Sequence, residues 1–277
     1  MGKVVSFINM KGGVGKTTLC IGIGEYLANN HSKKVLFIDL DPQFNTTQSL
    51  MNAYNKEDTY LDEYVNNNKT VQKIFEMPTT ISKKPEMPKK QDVIVELDDN
   101  IHIVPGTIDL IFEDNNSSGK AKRIDKFIKK NNLKDEYQYI FIDCPPTISL
   151  YTDAALYASD YYLVPNRIDR YSMLGIKLLD KAIEKLRFDD EESIHIKLLG
   201  IVYTMFDSGA KSNDIQDKFE NSGIIDKNFI FKNRTSFVKD LLVGKRGNIS
   251  SNYKKSNEDI SKVCDEFLER IDEYDKQ

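Results

Sequence analysis

Short apolar runs alternate with longer amphipathic stretches along most of the chain. Val4–Ile8, Val35–Ile38, Ile101–Val104, Tyr139–Ile142, Tyr161–Val164, Leu198–Tyr203 and Phe229–Phe231 are nearly continuous in apolar residues. Runs of that length with little polar alternation predict strands of a sheet covered on both faces. Between them, Thr17–Asn29, Ala121–Lys130, Met173–Leu186, Asn213–Phe219 and Ser256–Tyr274 carry the spacing of helices. This order predicts an α/β fold: a doubly wound, mostly parallel sheet with helices on both faces. The rhythm breaks from about residue 52 to 92, a polar segment with Pro78, Pro85, Pro88 and the pairs Lys83-Lys84 and Lys89-Lys90. Leu61, Tyr64, Val65 and Ile74 are spaced for one or two short helices within Thr59–Met77, and Thr79–Lys90 reads as a loop. The segment is too short to bury much by itself. It is expected to be an excursion from a single domain spanning residues 1–277, without internal repeats.

Composition narrows the class. A hydrophobic content of 40% is enough for a sizeable core, and a formal charge of −4 gives no overall attraction to polyanions, leaving only local basic patches for that role. Cys20, Cys144 and Cys264 form no Cys-x-x-Cys pair, so neither a zinc site nor an iron–sulfur site within one chain is indicated, and scattered cysteines fit a reducing cytoplasm. The first strand begins at the N-terminus, leaving no room for a signal peptide, and no apolar run approaches membrane-spanning length.

The stretch Asn9-Met10-Lys11-Gly12-Gly13-Val14-Gly15-Lys16-Thr17 lies between a predicted strand and a predicted helix. Glycines there let backbone N–H groups turn inward toward phosphate oxygens. Lys16 can reach the β and γ phosphates, the Thr17 hydroxyl can ligate Mg²⁺, and the helix contributes the positive end of its dipole. Met10 occupies the place of the first glycine of the common pattern, and a second lysine, Lys11, precedes the glycine pair. Two further motifs end strands, where ligands of open α/β sheets collect. Asp39-Leu40-Asp41-Pro42-Gln43 offers two carboxylates on one side if the chain stays extended, able to hold Mg²⁺ or orient a water, or simply to cap the next helix. Tyr139-Ile140-Phe141-Ile142-Asp143 has the form of a strand whose terminal aspartate supports the Mg²⁺ shell.

With these residues in hand, the chain resembles the ParA/MinD group of P-loop ATPases, which carry a deviant Walker A motif. The resemblance rests on Lys11–Thr18, Asp39–Gln43 and Ile142-Asp143-Cys144-Pro145-Pro146. It continues through Ile103–Gly106, Leu163-Val164-Pro165 and Gly200-Ile201-Val202-Tyr203-Thr204-Met205-Phe206-Asp207. The Asp-x-Asp-Pro-Gln and Thr-Met-Phe-Asp forms favour the ParA branch of plasmid and chromosome partition ATPases. The resemblance implies ATP and Mg²⁺ as ligands, weak and partner-stimulated hydrolysis, and a homodimer that sandwiches ATP. It implies that Lys11 reaches the partner's ATP, that Gly12, Gly13, Val14, Gly15 and Lys16 hold phosphates in their own subunit, and that Thr18 contacts the α-phosphate. Thr204 and Met205 join the nucleotide contacts. Thr17, Asp41 and Asp143 serve the metal, and Asp41 also positions the attacking water.

Two departures stand out: Phe44 where the family usually has glycine, and Phe231-Lys232-Asn233-Arg234-Thr235-Ser236 in place of Ile-Pro-Arg-Asn-x-Arg. The resemblance further implies nonspecific DNA binding by the ATP dimer, for which Lys232, Arg234, Lys239, Lys245 and Arg246, with Lys254 and Lys255, are the candidates. It also implies a ParB-type centromere-binding partner and a cytoplasmic, nucleoid-associated protein. The alternative is a nucleotide-switched positioning or scaffold protein for another cargo. A membrane-binding terminal helix of the MinD kind is not expected. The helix ending the chain is apolar at Ile260, Val263, Phe267, Leu268 and Ile271, but its polar face is acidic, with Asp265, Glu266, Glu269, Asp272, Glu273 and Asp275.

Overall fold

The computed structural model describes residues 1–76, 86–112, 119–169, 171–207, 210–223 and 225–276, apart from the side chains at 172 and 210–213. Pro78, Pro85 and the Lys83-Lys84 pair lie outside the described residues. Seven strands form one sheet: β1 (Lys3–Phe7), β2 (Val35–Asp39), β3 (Val95–Glu96), β4 (Ile101–Val104), β5 (Tyr139–Asp143), β6 (Tyr161–Asn166) and β7 (Lys197–Tyr203). Their order is β3-β4-β2-β5-β1-β6-β7, parallel throughout except for β3, which runs antiparallel to β4 at the edge. The main helices are α1 (Lys16–His31), α2 (Asn45–Ala53), α3 (Arg123–Lys130), α4 (Leu150–Ala158), α5 (Ser172–Asp189), α6 (Ala210–Glu220), α7 (Lys239–Leu242) and α8 (Lys254–Asp275).

Alternate strand residues feed two apolar layers, as the twofold repeat of a strand requires. Val4, Ile140, Ile142, Val164 and Ile201 point into one layer with α3, α4 and α5. Val5, Phe7, Phe37, Phe141 and Leu163 point into the other with α1, α2 and α8. On that second side α1 lies close to the sheet: a Cβ at Gly24 would come within 2.2 Å of the Phe37 ring. The interface between α1 and α8 is equally tight, a Cβ at Gly22 meeting Ile260 at 2.8 Å.

Three expectations need correction. Phe229–Phe231 is not a strand; Lys227–Phe229 is a 3-10 turn, and Ile230 makes only an isolated bridge to Ile201. The donors that would extend a ladder are taken elsewhere, because the N–H groups of Lys232 and Asn233 both bond to the Glu266 carboxylate of α8 (3.0 Å each). Glu266 is accordingly buried rather than part of an acidic solvent face, and Arg270 neutralises it at 3.0 Å. The described part of the 52–92 segment is also more deeply seated than its polarity predicts. It holds short helical turns at Glu57–Thr59, Tyr60–Val65 and Gln72–Phe75, and Val71, Ile74 and Phe75 are fully buried. The Tyr60 hydroxyl donates to the Gly106 carbonyl at 2.8 Å. Among the described residues, no helix is long and apolar enough to cross a membrane.

Candidate nucleotide site

The C-terminal ends of β2, β5 and β1, adjacent in the sheet, converge on one place. The loop after β1 runs into α1 through Gly13 (φ 68°) and Gly15 (φ 81°), both in the left-handed region where side-chain-bearing residues are strained. A Cβ on Gly12 or Gly13 would meet nothing within 4 Å, so that side of the loop is open. Behind the loop, Asn9 is the brace. Its amide donates to the Pro165 carbonyl at 2.9 Å and accepts the Lys11 N–H at 3.1 Å. Val14 is buried, and its carbonyl accepts the Thr204 hydroxyl at 2.6 Å. Gly15 faces Met205 and Thr204, whose side chains lie 3.3 and 3.5 Å from the position of a Cβ. Thr204 and Met205 therefore lie against the phosphate loop.

Lys16 is buried at the start of α1. The next residue, Thr17, donates its hydroxyl to Asp143 Oδ2 at 2.6 Å. Asp143 is buried, which pushes its carboxyl up to about 6 against the opposing influence of the Thr17 hydrogen bond, the Lys16 charge and the Thr46 hydrogen bond. Its other oxygen, Oδ1, is buried without a hydrogen-bond partner. Such an orphan acceptor is costly unless a ligand completes it.

Asp39 and Asp41 are held by different partners. Asp39 is fully buried. Its Oδ2 accepts the Thr47 N–H (2.8 Å) and hydroxyl (2.7 Å), so it caps the first turn of α2. Burial, then the neighbouring Asp143 charge, pushes its carboxyl well above the usual range. Asp41 stands in the loop and accepts the Gln43 N–H at 3.0 Å. Burial raises its pKa, while that hydrogen bond and Lys16 oppose the rise. Thr46, which no motif singled out, donates to Asp143 Oδ2 at 2.7 Å. Only its place, five residues after Asp41, hinted at a role.

Lys11 leans away from this centre and forms an ion pair with Asp169. Beside the loop, a cavity of about 120 Å³ is lined by Thr18, Met205, Thr235, Phe237 and Leu242 among others. The wall from Thr235 to Leu242 is held by backbone bonds from Phe206 N to Thr235 O (2.8 Å) and from Phe237 N to Phe206 O (3.2 Å). The Ser236 N–H bonds to Asp259 of α8 at 2.8 Å. On the outer side, Lys239, Arg246, Lys254 and Lys255 line a shallow concavity of about 420 Å³ together with Asp240, and Lys255 pairs with Asp259 at 3.0 Å. Lys245 pairs loosely with Asp240 (3.8 Å), the Arg234 guanidinium stacks 3.6 Å from the Phe206 ring centre, and Lys232 is exposed.

No group of three or more His, Cys, Asp and Glu among the described residues is placed to hold a metal. The donors present are the Thr17 hydroxyl and the carboxylates of Asp41 and Asp143. That set suits Mg²⁺, which keeps several waters and takes one or two carboxylates plus phosphates.

A glycine-rich strand-to-helix loop, with its lysine and threonine set against an aspartate on the neighbouring strand, defines the class of P-loop nucleotide-binding proteins. The chain belongs to the AAA domain family (AAA_31), whose model matches residues 2–196, and to its ParA/Soj branch. The sporulation initiation inhibitor protein Soj of Bacillus subtilis strain 168 is 30% identical over 212 residues, spanning 75% of this chain and 74% of that protein. Two solved structures share the fold. A Borrelia burgdorferi B31 protein assigned to plasmid partition, bound to AMPPNP, has a TM-score of 0.75 at 21% identity and covers 97% of this chain and 99% of its own. Cobyrinic acid a,c-diamide synthase of Mycobacterium smegmatis, with bound ATP analog and magnesium, has a TM-score of 0.74 at 21% identity and covers 98% and 96%.

Proposed function

We propose that this chain is a Mg·ATP-dependent, dimerising ATPase of DNA partition, acting as one domain over residues 1–277. The observation that carries the reading is the convergence of Lys16, Thr17, Asp41 and Asp143 at three adjacent strand ends. Phosphoryl transfer needs position, metal and charge more than covalent help from protein. The loop amides from Gly12 to Lys16 and the Lys16 ammonium hold the phosphates, and Thr18 meets the α-phosphate. The cavity beside Met205 and Thr235 takes the base. Thr17, Asp41 and the unpartnered oxygen of Asp143 serve the magnesium ion, which when bound neutralises charge across the β and γ phosphates. Asp41 orients the attacking water. Lys11 acts across the dimer on the partner's nucleotide, as an arginine finger does. Membership of the ParA/Soj branch, whose relatives include chromosome-partitioning proteins, supports the partition role, and the bound groups of the two solved structures support ATP and magnesium.

The ATP dimer holds nonspecific DNA in the cytoplasm on the nucleoid. Lys239, Arg246, Lys254 and Lys255 contact phosphates, assisted by Lys232, Arg234 and Lys245. Two copies of that surface in one dimer raise avidity without new contacts. A ParB-type partner stimulates hydrolysis, which ends the dimer and releases the DNA. Anisotropy of a labelled duplex with ATP, ADP or no nucleotide at two salt levels tests this reading. ATP alone is expected to give tight binding that weakens steeply with salt. Absence of ATP-dependent binding at low salt sinks the DNA role, and absence of phosphate release with or without DNA sinks the ATPase.

A further inference from the structure

We propose that Thr46 is a positioning residue that ties the loop bearing Asp41 to the metal-supporting carboxylate of Asp143. This rests on the ATPase reading above. The Asp41 loop is suspended between two anchors. One is the end of β2, where the Leu40 N–H bonds to the Asp143 carbonyl at 3.0 Å and the Asp41 N–H to Asp39 Oδ1 at 3.2 Å. The other is the first turn of α2, reached through a turn closed by the Phe44 N–H on the Asp41 carbonyl (2.8 Å).

Two consecutive threonines fasten that turn, and their tasks differ. Thr47 grips Asp39 with both N–H and hydroxyl, and its hydroxyl oxygen accepts the Gly106 N–H at 2.8 Å, joining β2, α2 and the end of β4. Leu50 and Met51 bury the next turn of α2 in the core. These contacts hold α2 on the sheet without Thr46. The Thr46 hydroxyl, fully buried, goes instead to Asp143 Oδ2, the same oxygen that accepts Thr17.

Asp143 thus receives one hydroxyl from the phosphate loop and one from the helix that ends the Asp41 loop. A shift of Thr17 or Asp143 on loading with Mg·ATP is passed through Thr46 to the residue that orients water. A hydrogen bond to an ionised group, removed from one side, costs enough to change a rate by about 10- to 100-fold. Removing the Thr46 hydroxyl leaves the phosphate loop whole, so the loss falls on turnover rather than on nucleotide affinity.

The test compares wild type with Thr46→Val, which keeps the shape, and Thr46→Ser, which keeps the hydroxyl. Steady-state phosphate release and hydrogen–deuterium exchange at amides 41–48, with and without Mg·ATP, are measured together with equilibrium binding of ATP. Thr46→Val is expected to lose about 10-fold or more in kcat with KM for ATP changed less than about twofold. It is also expected to lose the slowing of exchange at 41–48 that Mg·ATP causes in wild type. Thr46→Ser restores both. Wild-type kcat and protection in Thr46→Val overturn the proposal, as does a Thr46→Ser variant no better than Thr46→Val, which would make the effect one of packing. Wild type that binds ATP but shows no Mg·ATP-dependent slowing at these amides overturns the linkage alone. Wild type that fails to bind ATP overturns the ATPase reading and this inference with it.

Discussion

Lys11 and Asp169 form an ion pair within one chain, joining the phosphate loop to the segment that leads into α5. Both side chains are partly exposed, at 24% and 39%, so the pair is worth at most about 1 kcal/mol. A lysine held this way must exchange partners before it can serve a second subunit. Asp169→Asn is therefore expected to shift the ATP-dependent monomer–dimer equilibrium toward dimer by up to about fivefold. On the proposed trans role, Lys11→Ala is expected to impair that dimer while ATP binding to the monomer persists. Sedimentation with a nonhydrolysable ATP analogue measures both variants, and a Lys11→Ala protein that dimerises normally removes the trans role.

Lys16 and Asp41 share an electrostatic neighbourhood but not a task. Lys16→Ala strips the cation from the phosphate cradle and is expected to lower ATP affinity at least ~100-fold. Asp41→Ala leaves the cradle intact and is expected to keep affinity while cutting kcat about 100-fold or more, trapping an ATP-bound dimer. Parallel titrations with a fluorescent ATP analogue and single-turnover phosphate release separate the two. Wild-type turnover in Asp41→Ala counts against its role in orienting water.

Phe44 occupies a backbone conformation that favours glycine. It sits at φ 41° and ψ 39°, left-handed, immediately before α2, with its ring 5.8 Å from that of Tyr60. The conformation costs a side-chain-bearing residue about 1–2 kcal/mol, and the ring contact returns a similar amount. Phe44→Gly is accordingly expected to change stability by less than about 1 kcal/mol, as strain and packing are lost together. Phe44→Ala keeps the strain and loses the packing, so it falls below Phe44→Gly by about 1 kcal/mol or more in urea unfolding. The reverse ranking contradicts this account.

Glu25 sets a pH dependence far from the nucleotide. It is buried on α1, and burial raises its carboxyl to about 7, opposed by a hydrogen bond from the Ser251 hydroxyl at 3.3 Å. The folded chain then binds this proton more tightly than the unfolded chain does. The stability it contributes is complete below pH ~4.5 and is lost as pH rises through about 7, by up to ~3 kcal/mol. Thermal unfolding at pH 5 and pH 8 should show wild type losing more Tm than Glu25→Gln. Equal losses in the two proteins would remove Glu25 as the cause.

The motifs that bind phosphate were legible because each is local: a glycine loop, a strand and a terminal aspartate within a few residues. Most strands were legible for the same reason, their burial on two faces leaving continuous apolar runs. The helix Leu150–Ala158 was not, because it is buried on nearly every side and shows no amphipathic period. Thr46 was illegible because its partner lies 97 residues away and a threonine near a helix start has an ordinary local use. Phe229–Phe231 looked like a strand because nothing nearby in sequence announces that Glu266 takes the adjacent N–H groups.

The cavity wall from Thr235 to Leu242 has a consequence for the order in which the protein comes into being. The phosphate loop is complete when the first twenty residues are made, yet the facing wall is fastened by Asp259, and the turn before it by Glu266, both on α8. Chains emerge from the ribosome N-terminus first, and a domain folds as a unit once its parts are made. On the proposed ATPase reading, a nascent chain short of α8 lacks the ties that fasten this wall, and full grip on a nucleotide is expected only once α8 is made. A chain cut short before α8 is therefore expected to carry the phosphate-loop and aspartate motifs and still hold nucleotide poorly.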